Sequence, residues 1–418
     1  MEIKPSTPFS SETESPSASS GAQPELFIDD DDRYSRLRLI GWWDQEKIAN
    51  ASVLVVGAGA LGNEVIKNLA LLGLGQIYVV DMDEIQESNL TRSVLFRSHH
   101  KGMSKAVVAA EMARELNSDC NLIPLHGNVL TDIGLGLVRA VDLVICCVDN
   151  REARLWINRM CWKVTTPWID GGIQEINGVA KVFVPPHGSC YECAMTENDY
   201  RLISLRYSCP LLKQEDIQRG RVPTAPTIAS IIGGLQVQEA LKLIHEMPTA
   251  EGSAMVFNGV VNNFYKTRFQ RREDCMSHET YENITSIRGV THEAKLADFF
   301  QAVASQFEVP LSELTLVLDR DFLIRLECRA CQKDVIVDEP LCKVGATRGV
   351  CGTCSQPLQP VTTCEISAGL ESSDWSDRSL ADLGIPDNDI VSVVTEDQAF
   401  HLQLTGSRDS SRIGSGER

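Results

Sequence analysis

The chain has 418 residues, 43% of them hydrophobic, and carries 57 acidic against 39 basic side chains, a formal net charge of −18. This length exceeds one ordinary domain, and the apolar content is ample for buried cores. The acidic excess argues against nucleic acid as the main partner, because phosphate backbones require basic patches. No apolar stretch approaches eighteen residues, which argues against a membrane-spanning protein.

The first patterned segment is a glycine-rich loop between a predicted strand and a predicted helix. Residues 1–32 before it are rich in Ser, Pro and acid, and we expect them to be disordered. An apolar run, Val53–Val56, leads into Gly57, Gly59 and Gly62, and the residues that follow carry apolar positions at helical spacing. Backbone N–H groups at such a helix start can bind a phosphate.

A second strand, Gln76–Val80, ends at Asp81, which follows the last loop glycine by 19 residues. That spacing suits a carboxylate that binds ribose hydroxyls, and up to this point NAD fits as well as ATP. Hydride transfer does not need the Asn89, Arg92 and Lys105 that come next. A nucleotidyl transfer does need them, because fixed donors and cations stabilise charge on the α-phosphate and on departing pyrophosphate.

Another apolar run, Asp142–Val148, reads as a central parallel strand, and Asp149 and Asn150 follow at its carboxyl end. Open α/β sheets bind their ligands at that edge. A carboxylate in this place can hold Mg²⁺. Taken singly, each of these polar residues has a plain alternative as a helix cap or a solvated charge.

Together these residues resemble the nucleotide site of the ubiquitin-activating enzyme superfamily, which includes the ThiF and MoeB adenylyltransferases of bacterial sulfur-carrier proteins. The resemblance runs from about Arg33 to about His278 and includes Arg154 and Asn158. It implies that Asp149 is a magnesium-linked catalytic residue and that Arg92 and Lys105 also act in catalysis. The nucleotide-binding positions that it implies are Gly57, Gly59, Gly62, Asp81, Asp83, Ser88, Asn89, Arg92, Lys105, Asp149 and Asn150.

The resemblance also implies a reaction and a partner. ATP and the C-terminal carboxylate of a ubiquitin-like protein, typically ending in Gly-Gly, would give an acyl-adenylate and pyrophosphate. Arg33-Tyr34-Ser35-Arg36 resembles the family's Arg-Tyr-x-Arg-Gln segment, in which the second arginine reaches the ATP of a partner subunit. Leu37 replaces the usual glutamine here. The resemblance implies that Arg36 acts in catalysis across a homodimer; the alternative is a surface charge near the N-terminus.

Cysteine spacing predicts two zinc sites. One would combine Cys190 and Cys193 with Cys275 and His278, where the family usually has a second Cys-x-x-Cys, so His278 as a surface imidazole stays open. The other, a zinc ribbon, combines two pairs separated by 19 residues: Cys328, Cys331, Cys351 and Cys354. Disulfides are the rival explanation. The chain opens without a basic and apolar signal sequence, so we expect a cytoplasmic, reducing location.

Cys209 lies apart from both clusters, in a polar stretch where related enzymes carry a loop over the active site. Its thiolate is a candidate nucleophile that would take the acyl group as a thioester, and the nearby Arg201, Arg206 and Lys213 would lower its pKa. The alternative is a dispensable loop cysteine. We expect four cysteines in apolar segments to be small core residues: Cys120, Cys146, Cys147 and Cys161.

The character of the sequence changes after about residue 282. A helix is predicted over Lys295–Phe307 and strands over Thr315–Leu318 and Phe322–Leu326. A leucine-rich turn and a final apolar strand over Ser379–Val394 resemble the end of a β-grasp, or ubiquitin-like, fold. Such a module would recruit a conjugating enzyme, although any small α+β domain fits the pattern as well.

The sequence therefore predicts an α/β protein: a Rossmann-like adenylation domain with a mostly parallel sheet and a zinc knuckle over 33–282, a smaller α+β domain with a zinc ribbon over 283–404, and a disordered tail over 405–418. The predicted function is ATP-dependent activation of a ubiquitin-like protein, with ATP, Mg²⁺ and Zn²⁺ as cofactors. Two rivals are a sulfur-carrier adenylyltransferase and a catalytically silent scaffold.

Overall fold

The computed structural model describes residues 32–200, 223–368 and 373–405. The chain divides into two units, Met1–Trp43 and Asp44–Arg418. In the described part of the first unit, a short 3₁₀ helix covers Leu37–Leu39, and Arg38 pairs with Asp32. The predicted disordered tails lie almost wholly outside the described residues.

The second unit contains a large sheet with helices around it. The strands of this sheet are β1 Ser52–Val56, β2 Gln76–Asp81, β3 Asn121–His126, β4 Leu143–Cys146, β5 Trp168–Gln174, β6 Asn177–Phe183, β7 Ser253–Asn258 and β8 Asn263–Arg268. The helices are α1 Gln45–Asn50, α2 Ala60–Leu72, α3 Lys105–Leu116, α4 Leu135–Ala140, α5 Arg151–Lys163 and α6 Pro226–Ile244. Across the described residues, no helix is both long and apolar enough to cross a membrane.

The strand order is β3-β2-β1-β4-β5-β6-β7-β8, with the first five strands parallel and the last three added antiparallel. The predicted Rossmann-like, mostly parallel sheet is confirmed. The strands β1 and β4 are buried along nearly their whole length, as continuous apolar runs in a two-sided sheet require. The chain crosses from β1 to β2 on one side and reaches β4 on the other, so a crevice forms at their carboxyl ends.

The later part of the chain forms a second, six-stranded sheet with two helices. The strands are β9 Thr285–Ile287, β10 Thr315–Cys328, β11 Lys333–Pro340, β12 Gln359–Ser367, β13 Ile390–Val394 and β14 Ala399–Leu404, and the helices are α7 Leu296–Phe307 and α8 Ser373–Ser376. The order is β11-β10-β13-β14-β9, with β12 also paired to β10, and β9 runs parallel to β14. The expected smaller α+β module is present; its likeness to a β-grasp fold remains a prediction.

Two details of this module differ from the sequence prediction. The two predicted strands around Asp319 are one long strand, β10, whose pairing to β12 shifts register between Val317 and Phe322. The apolar segment Ile390–Val394 is not the last strand, because β14 follows it as the second arm of a hairpin. The alternating polar residues of β14 conceal its buried Leu402 and Leu404 from a search for apolar runs.

Polar and aromatic contacts join the second sheet to the elements around the first sheet. Leu135 N donates to Asp389 Oδ1 at 2.6 Å, and burial raises the pKa of this carboxyl group to about 6. On α5, Lys163 Nζ lies 2.5 Å from Asp319 Oδ1. The ring of Tyr281 stacks on that of His401 with centroids 3.7 Å apart. The two parts of this unit are therefore held together by buried or half-buried polar groups as well as by apolar packing.

Candidate active site and metal clusters

Two positions of the glycine loop leave no room for a side chain. Gly57 has a φ of 96°, and a Cβ there would lie 2.9 Å from the carbonyl oxygen of Cys147. A Cβ on Gly62 would lie 1.9 Å from the carbonyl oxygen of Gly57. A side chain at either position would require the backbone to shift. Both positions therefore need glycine for the loop to keep this close packing at the crevice between β1 and β4.

Gly59 faces open space instead. It is the N-cap residue of α2, and a Cβ placed on it would meet nothing within 4 Å. The first N–H groups of a helix lack intrahelical acceptors and carry the positive end of the helix dipole. The open space beside Gly59 thus lies next to unpaired donors, which is the arrangement that binds a phosphate group.

Asp81, at the end of β2, supports this loop directly. Its Oδ2 accepts from Ala58 N at 2.7 Å, and its Oδ1 accepts from Asp83 N at 2.8 Å. Burial raises the pKa of Asp81, while Lys105 and the two backbone donors act in the opposite direction. The predicted ribose-binding carboxylate is therefore also a structural brace between β2 and the glycine loop.

Residues 83–105 form a long connection whose two ends meet beside the end of β2. Lys105 N donates to Asp83 O at 3.0 Å, and Lys105 Nζ lies 2.7 Å from Asp83 Oδ2. Within this connection, Arg92 Nη1 donates to Ser88 O at 2.8 Å, and Asn89 Oδ1 accepts from Gln86 N. The predicted nucleotide-binding residues of this segment are thus held in short local hydrogen bonds, with Lys105 and Asp83 next to Asp81.

Asn63 is a residue of the site that the sequence analysis missed. Its side chain is fully buried, and its amide nitrogen donates to Ala58 O at 2.8 Å and Gly59 O at 3.0 Å. Its Oδ1 accepts from Leu95 N at 2.9 Å. One side chain therefore ties the glycine loop to the segment that carries Arg92. The feature of the sequence that could have identified it is a polar residue on the otherwise apolar face of α2.

Asp149 follows β4 at the same edge of the sheet. Its side chain is exposed and forms no ion pair with any residue in the described ranges. The carbonyl oxygen of the preceding residue, Val148, accepts from Arg154 Nη2 at 2.7 Å. The following residue, Asn150, caps α5 by accepting from Ala153 N at 2.8 Å. The carboxylate is therefore solvent-accessible on a backbone that is held on both sides, as a metal-binding group would require.

Two further residues were predicted to act in catalysis, Arg36 and Cys209. Arg36 is exposed in the first unit, at the start of its 3₁₀ helix. Cys209 and the neighbouring basic residues Arg206 and Lys213 lie outside the described residues, as does Arg201. Their roles remain predictions.

The first cysteine cluster brings together residues that are more than eighty positions apart in the chain. Cys190 Sγ lies 3.6 Å from Cys193 Sγ and 3.5 Å from Cys275 Sγ, and Cys193 Sγ lies 3.3 Å from His278 Nε2. All four ligand atoms lie within 4.8 Å of one another. Zn–S bonds of about 2.3 Å in a tetrahedron place sulfur atoms roughly 3.8 Å apart, so these atoms fit a zinc ion. His278 also stacks on Trp162, with ring centroids 4.5 Å apart.

The second cluster is built on the end of β10, the turn between β10 and β11, and the loop before β12. Cys328 Sγ lies 3.5 Å from Cys354 Sγ, and these two group with Cys331 and Cys351 within 4.8 Å. These distances exceed the bond length of a disulfide, about 2.05 Å. All cysteines of the described ranges are unbridged. The predicted core cysteines, Cys120, Cys146, Cys147 and Cys161, are buried, whereas Cys342 is half-buried and Cys364 is exposed.

We predict that the purified protein contains two zinc ions per chain. Cys275→Ser should remove one of them, and Cys351→Ser should remove the other, because each cluster loses a thiolate ligand. Inductively coupled plasma mass spectrometry gives the stoichiometry. Cys364→Ser is the matched control and should keep both ions. A wild-type protein without zinc after growth in zinc-supplemented medium would contradict the prediction.

Curated relatives match part of this chain. Adenylyltransferase and sulfurtransferase MOCS3-1 of Drosophila pseudoobscura pseudoobscura is 32% identical over 259 residues, which cover 60% of this chain and 54% of that protein. SUMO-activating enzyme subunit 2 of Dictyostelium discoideum is 38% identical over 164 residues, covering 39% of this chain and 25% of that protein. NEDD8-activating enzyme E1 catalytic subunit of Caenorhabditis elegans is 37% identical over 163 residues, covering 36% and 38%. The chain spans about half or less of the length of these relatives.

Solved structures with a similar fold include E. coli MccB with ATP, with a TM-score of 0.50 and 23% identity, covering 61% of this chain and 76% of MccB. MccB with AMPCPP and MccA gives a TM-score of 0.51 and 24% identity, with coverage of 61% and 76%. At this identity the likeness establishes the fold alone. The sequence pattern of the ThiF family matches residues 32–277, more than half of the chain. The chain therefore belongs to the ThiF family.

Proposed function

We propose that this protein uses ATP to adenylate the C-terminal glycine of a ubiquitin-like protein. The observation that carries the proposal is the meeting of four groups at one edge of the sheet. They are the open helix start at Gly59, the braced Asp81, the Lys105 tied to Asp83, and the exposed Asp149. The names of the SUMO-activating and NEDD8-activating relatives support the choice of substrate.

In the proposed reaction, a carboxylate oxygen of the terminal glycine attacks the α-phosphorus of ATP. The bond between that phosphorus and the oxygen that bridges to the β-phosphorus breaks, and pyrophosphate leaves with the electron pair. The protein contributes position and charge: the start of α2 holds phosphate, and Arg92 and Lys105 neutralise the charge that develops. Asp149 would hold the Mg²⁺ that shields the phosphates. No general base is needed, because the nucleophile is already ionised.

A direct experiment is pyrophosphate exchange into ATP by the purified protein with candidate carriers that end in Gly-Gly. Exchange that depends on the carrier and is lost when its terminal glycine is removed supports the proposal. Failure of every carrier tested with zinc-loaded, nucleotide-binding protein would favour the silent scaffold instead.

We further propose that Cys209 accepts the acyl group. Its thiolate would attack the acyl carbon of the adenylate, forming a thioester and releasing AMP as the leaving group. Cys209→Ala should then keep carrier-dependent exchange at the wild-type rate, because adenylation precedes this step, and should lose a thiol-sensitive carrier adduct on non-reducing gels. Cys364→Ala, which removes an exposed thiol elsewhere, is the control. An unchanged adduct in Cys209→Ala would assign the nucleophile to another cysteine.

Activation of a sulfur carrier is the second candidate. The MOCS3 relatives, named as adenylyltransferases and sulfurtransferases, match over about 259 residues, more of this chain than the SUMO-activating or NEDD8-activating relatives do. Both candidates share the adenylation step and differ in what takes the acyl group. Mass spectrometry separates them: a carrier thiocarboxylate formed with a persulfide donor and a thiol that reduces the intermediate acyl disulfide indicates sulfur transfer, whereas a thioester to the enzyme indicates conjugation.

The remaining proposals concern partners. A homodimer would let Arg36 of one subunit reach the ATP of the other, and the module of the second sheet would recruit a conjugating enzyme in the cytoplasm.

We also propose two functional domains, an adenylation domain over 33–282 and a second module over 283–404. The positions of the two sheets along the chain are compatible with that boundary.

A further inference from the structure

A buried group of charges lies behind the edge that carries Asp149. Asp170, on β5, is 1% exposed and accepts two charged hydrogen bonds. Arg154 Nε donates to its Oδ1 at 2.8 Å, and Lys181 Nζ donates to its Oδ2 at 3.0 Å. The two cations lower the pKa of Asp170 against the effect of burial. The carboxylate is therefore ionised and fully engaged.

The strands and one helix bring these three residues together. Asp170 on β5 pairs with Cys146 on β4 on one side and with Lys181 on β6 on the other, so Cys146, Asp170 and Lys181 form one row across the sheet. The ring of Tyr191 covers the ammonium group of Lys181 at 4.9 Å from its centroid. Arg154 reaches the row from the first turns of α5.

The guanidinium group of Arg154 does more than pair with Asp170. Its Nη2 donates to Val148 O at 2.7 Å and to Gly171 O at 3.0 Å, the backbone carbonyls just past β4 and within β5. The Val148 carbonyl belongs to the peptide bond that precedes Asp149. Since Asn150 is fixed as the cap of α5, Asp149 lies between two fixed backbone points. Asp170 determines where the first of these points lies, because it orients the fork of Arg154.

Stability alone does not account for this arrangement. Three charged groups lose much of their hydration here, and a buried ion pair is often no more stabilising than apolar residues of the same volume. The arrangement suits a device that fixes the backbone geometry at the edge that carries Asp149.

We propose that Asp170, supported by Lys181, is a positioning residue for Asp149 and for the metal ion that Asp149 would bind. It acts through Arg154 and touches neither substrate nor metal. This inference rests on the proposed adenylation function. It assigns a role to two residues of β5 and β6, strands that contribute none of the predicted catalytic side chains.

The test compares Asp170→Asn, Lys181→Met and Lys181→Arg with the control Lys163→Met. The control breaks another lysine–aspartate pair whose lysine is similarly buried, Lys163 with Asp319, at the junction with the second sheet. In Asp170→Asn we expect carrier-dependent exchange to fall by about 10- to 100-fold, the usual cost of removing a partner that orients a metal-binding group. The Mg²⁺ concentration that gives half of the maximal rate should rise by a similar factor, whereas the KM for ATP should change less than threefold. Lys181→Met should shift both quantities in the same direction, and Lys181→Arg should restore them.

A second readout does not depend on turnover. Electron paramagnetic resonance of Mn²⁺ bound with a non-hydrolysable ATP analogue should show about 10- to 100-fold weaker metal binding in Asp170→Asn and no change in Lys163→Met. Equal losses in Lys163→Met and Asp170→Asn, or wild-type Mn²⁺ binding in Asp170→Asn, would overturn the proposal. If Asp170→Asn does not fold, unchanged Mg²⁺ dependence in Lys181→Met would also overturn it. Absence of exchange in the wild type would instead refute the adenylation function.

Discussion

Asp149→Ala is expected to abolish carrier-dependent exchange of pyrophosphate into ATP, with a loss on the order of 10²- to 10³-fold or more. The side chain is exposed at the carboxyl end of β4, on a backbone fixed by Arg154 and by the cap at Asn150. Removing the carboxylate should therefore remove a metal-binding group without disturbing the fold. Initial exchange rates at saturating ATP and carrier measure the effect.

Asp298→Ala is a suitable control for that experiment. Asp298 is an exposed aspartate in the first turn of α7, in the module of the second sheet, and it should be dispensable for exchange. The melting temperatures of both variants should stay close to that of the wild type. Retention of wild-type exchange by Asp149→Ala would remove this residue from the proposed mechanism.

The second large effect concerns two glycines of the same loop, which should respond to alanine in opposite ways. A Cβ at Gly62 would lie 1.9 Å from the carbonyl oxygen of Gly57, so the backbone must move. Gly62→Ala should therefore lower the free energy of unfolding by about 3 kcal/mol or more. Gly59→Ala has open space and an allowed backbone conformation, so its stability should change by less than about 1 kcal/mol.

In Gly59→Ala, the affinity for ATP should fall although the stability of the fold does not. Because the new methyl group of Gly59→Ala enters the space in front of the start of α2, it should weaken ATP binding by about tenfold or more while the protein stays folded. Thermal unfolding and isothermal titration calorimetry give the two quantities. Wild-type ATP affinity in Gly59→Ala, or wild-type stability in Gly62→Ala, would contradict the proposed phosphate site.

The elements that sequence analysis predicted well are those with strict chemical or steric requirements. Gly57 and Gly62 must be glycine because backbone atoms lie where a side chain would be, and the eight zinc-ligand candidates, which the structure brings into two clusters, occur as closely spaced pairs in the sequence. The parallel strands β1 and β4 are continuous apolar runs. Such patterns are local and can be read without knowing the fold.

The supporting residues could not be predicted, because their partners are distant in sequence. Asn63 joins the glycine loop to Leu95, and Asp170 joins α5 to β6 through Arg154 and Lys181. Each is a single polar residue in an apolar segment, which has no distinctive spacing. The strand β14 was missed for a related reason, since only its alternate residues are buried.

We infer that this crevice is built to break the bond between the α-phosphorus of ATP and the oxygen that bridges to the β-phosphorus while a protein carboxylate attacks. Incubation with ATP labelled at the α-phosphorus and a carrier ending in Gly-Gly, followed by separation of the products, tests it directly. We predict label on the carrier as its adenylate or released as AMP, together with unlabelled pyrophosphate. Formation of labelled ADP with inorganic phosphate, or binding of NAD in place of ATP, would contradict the account.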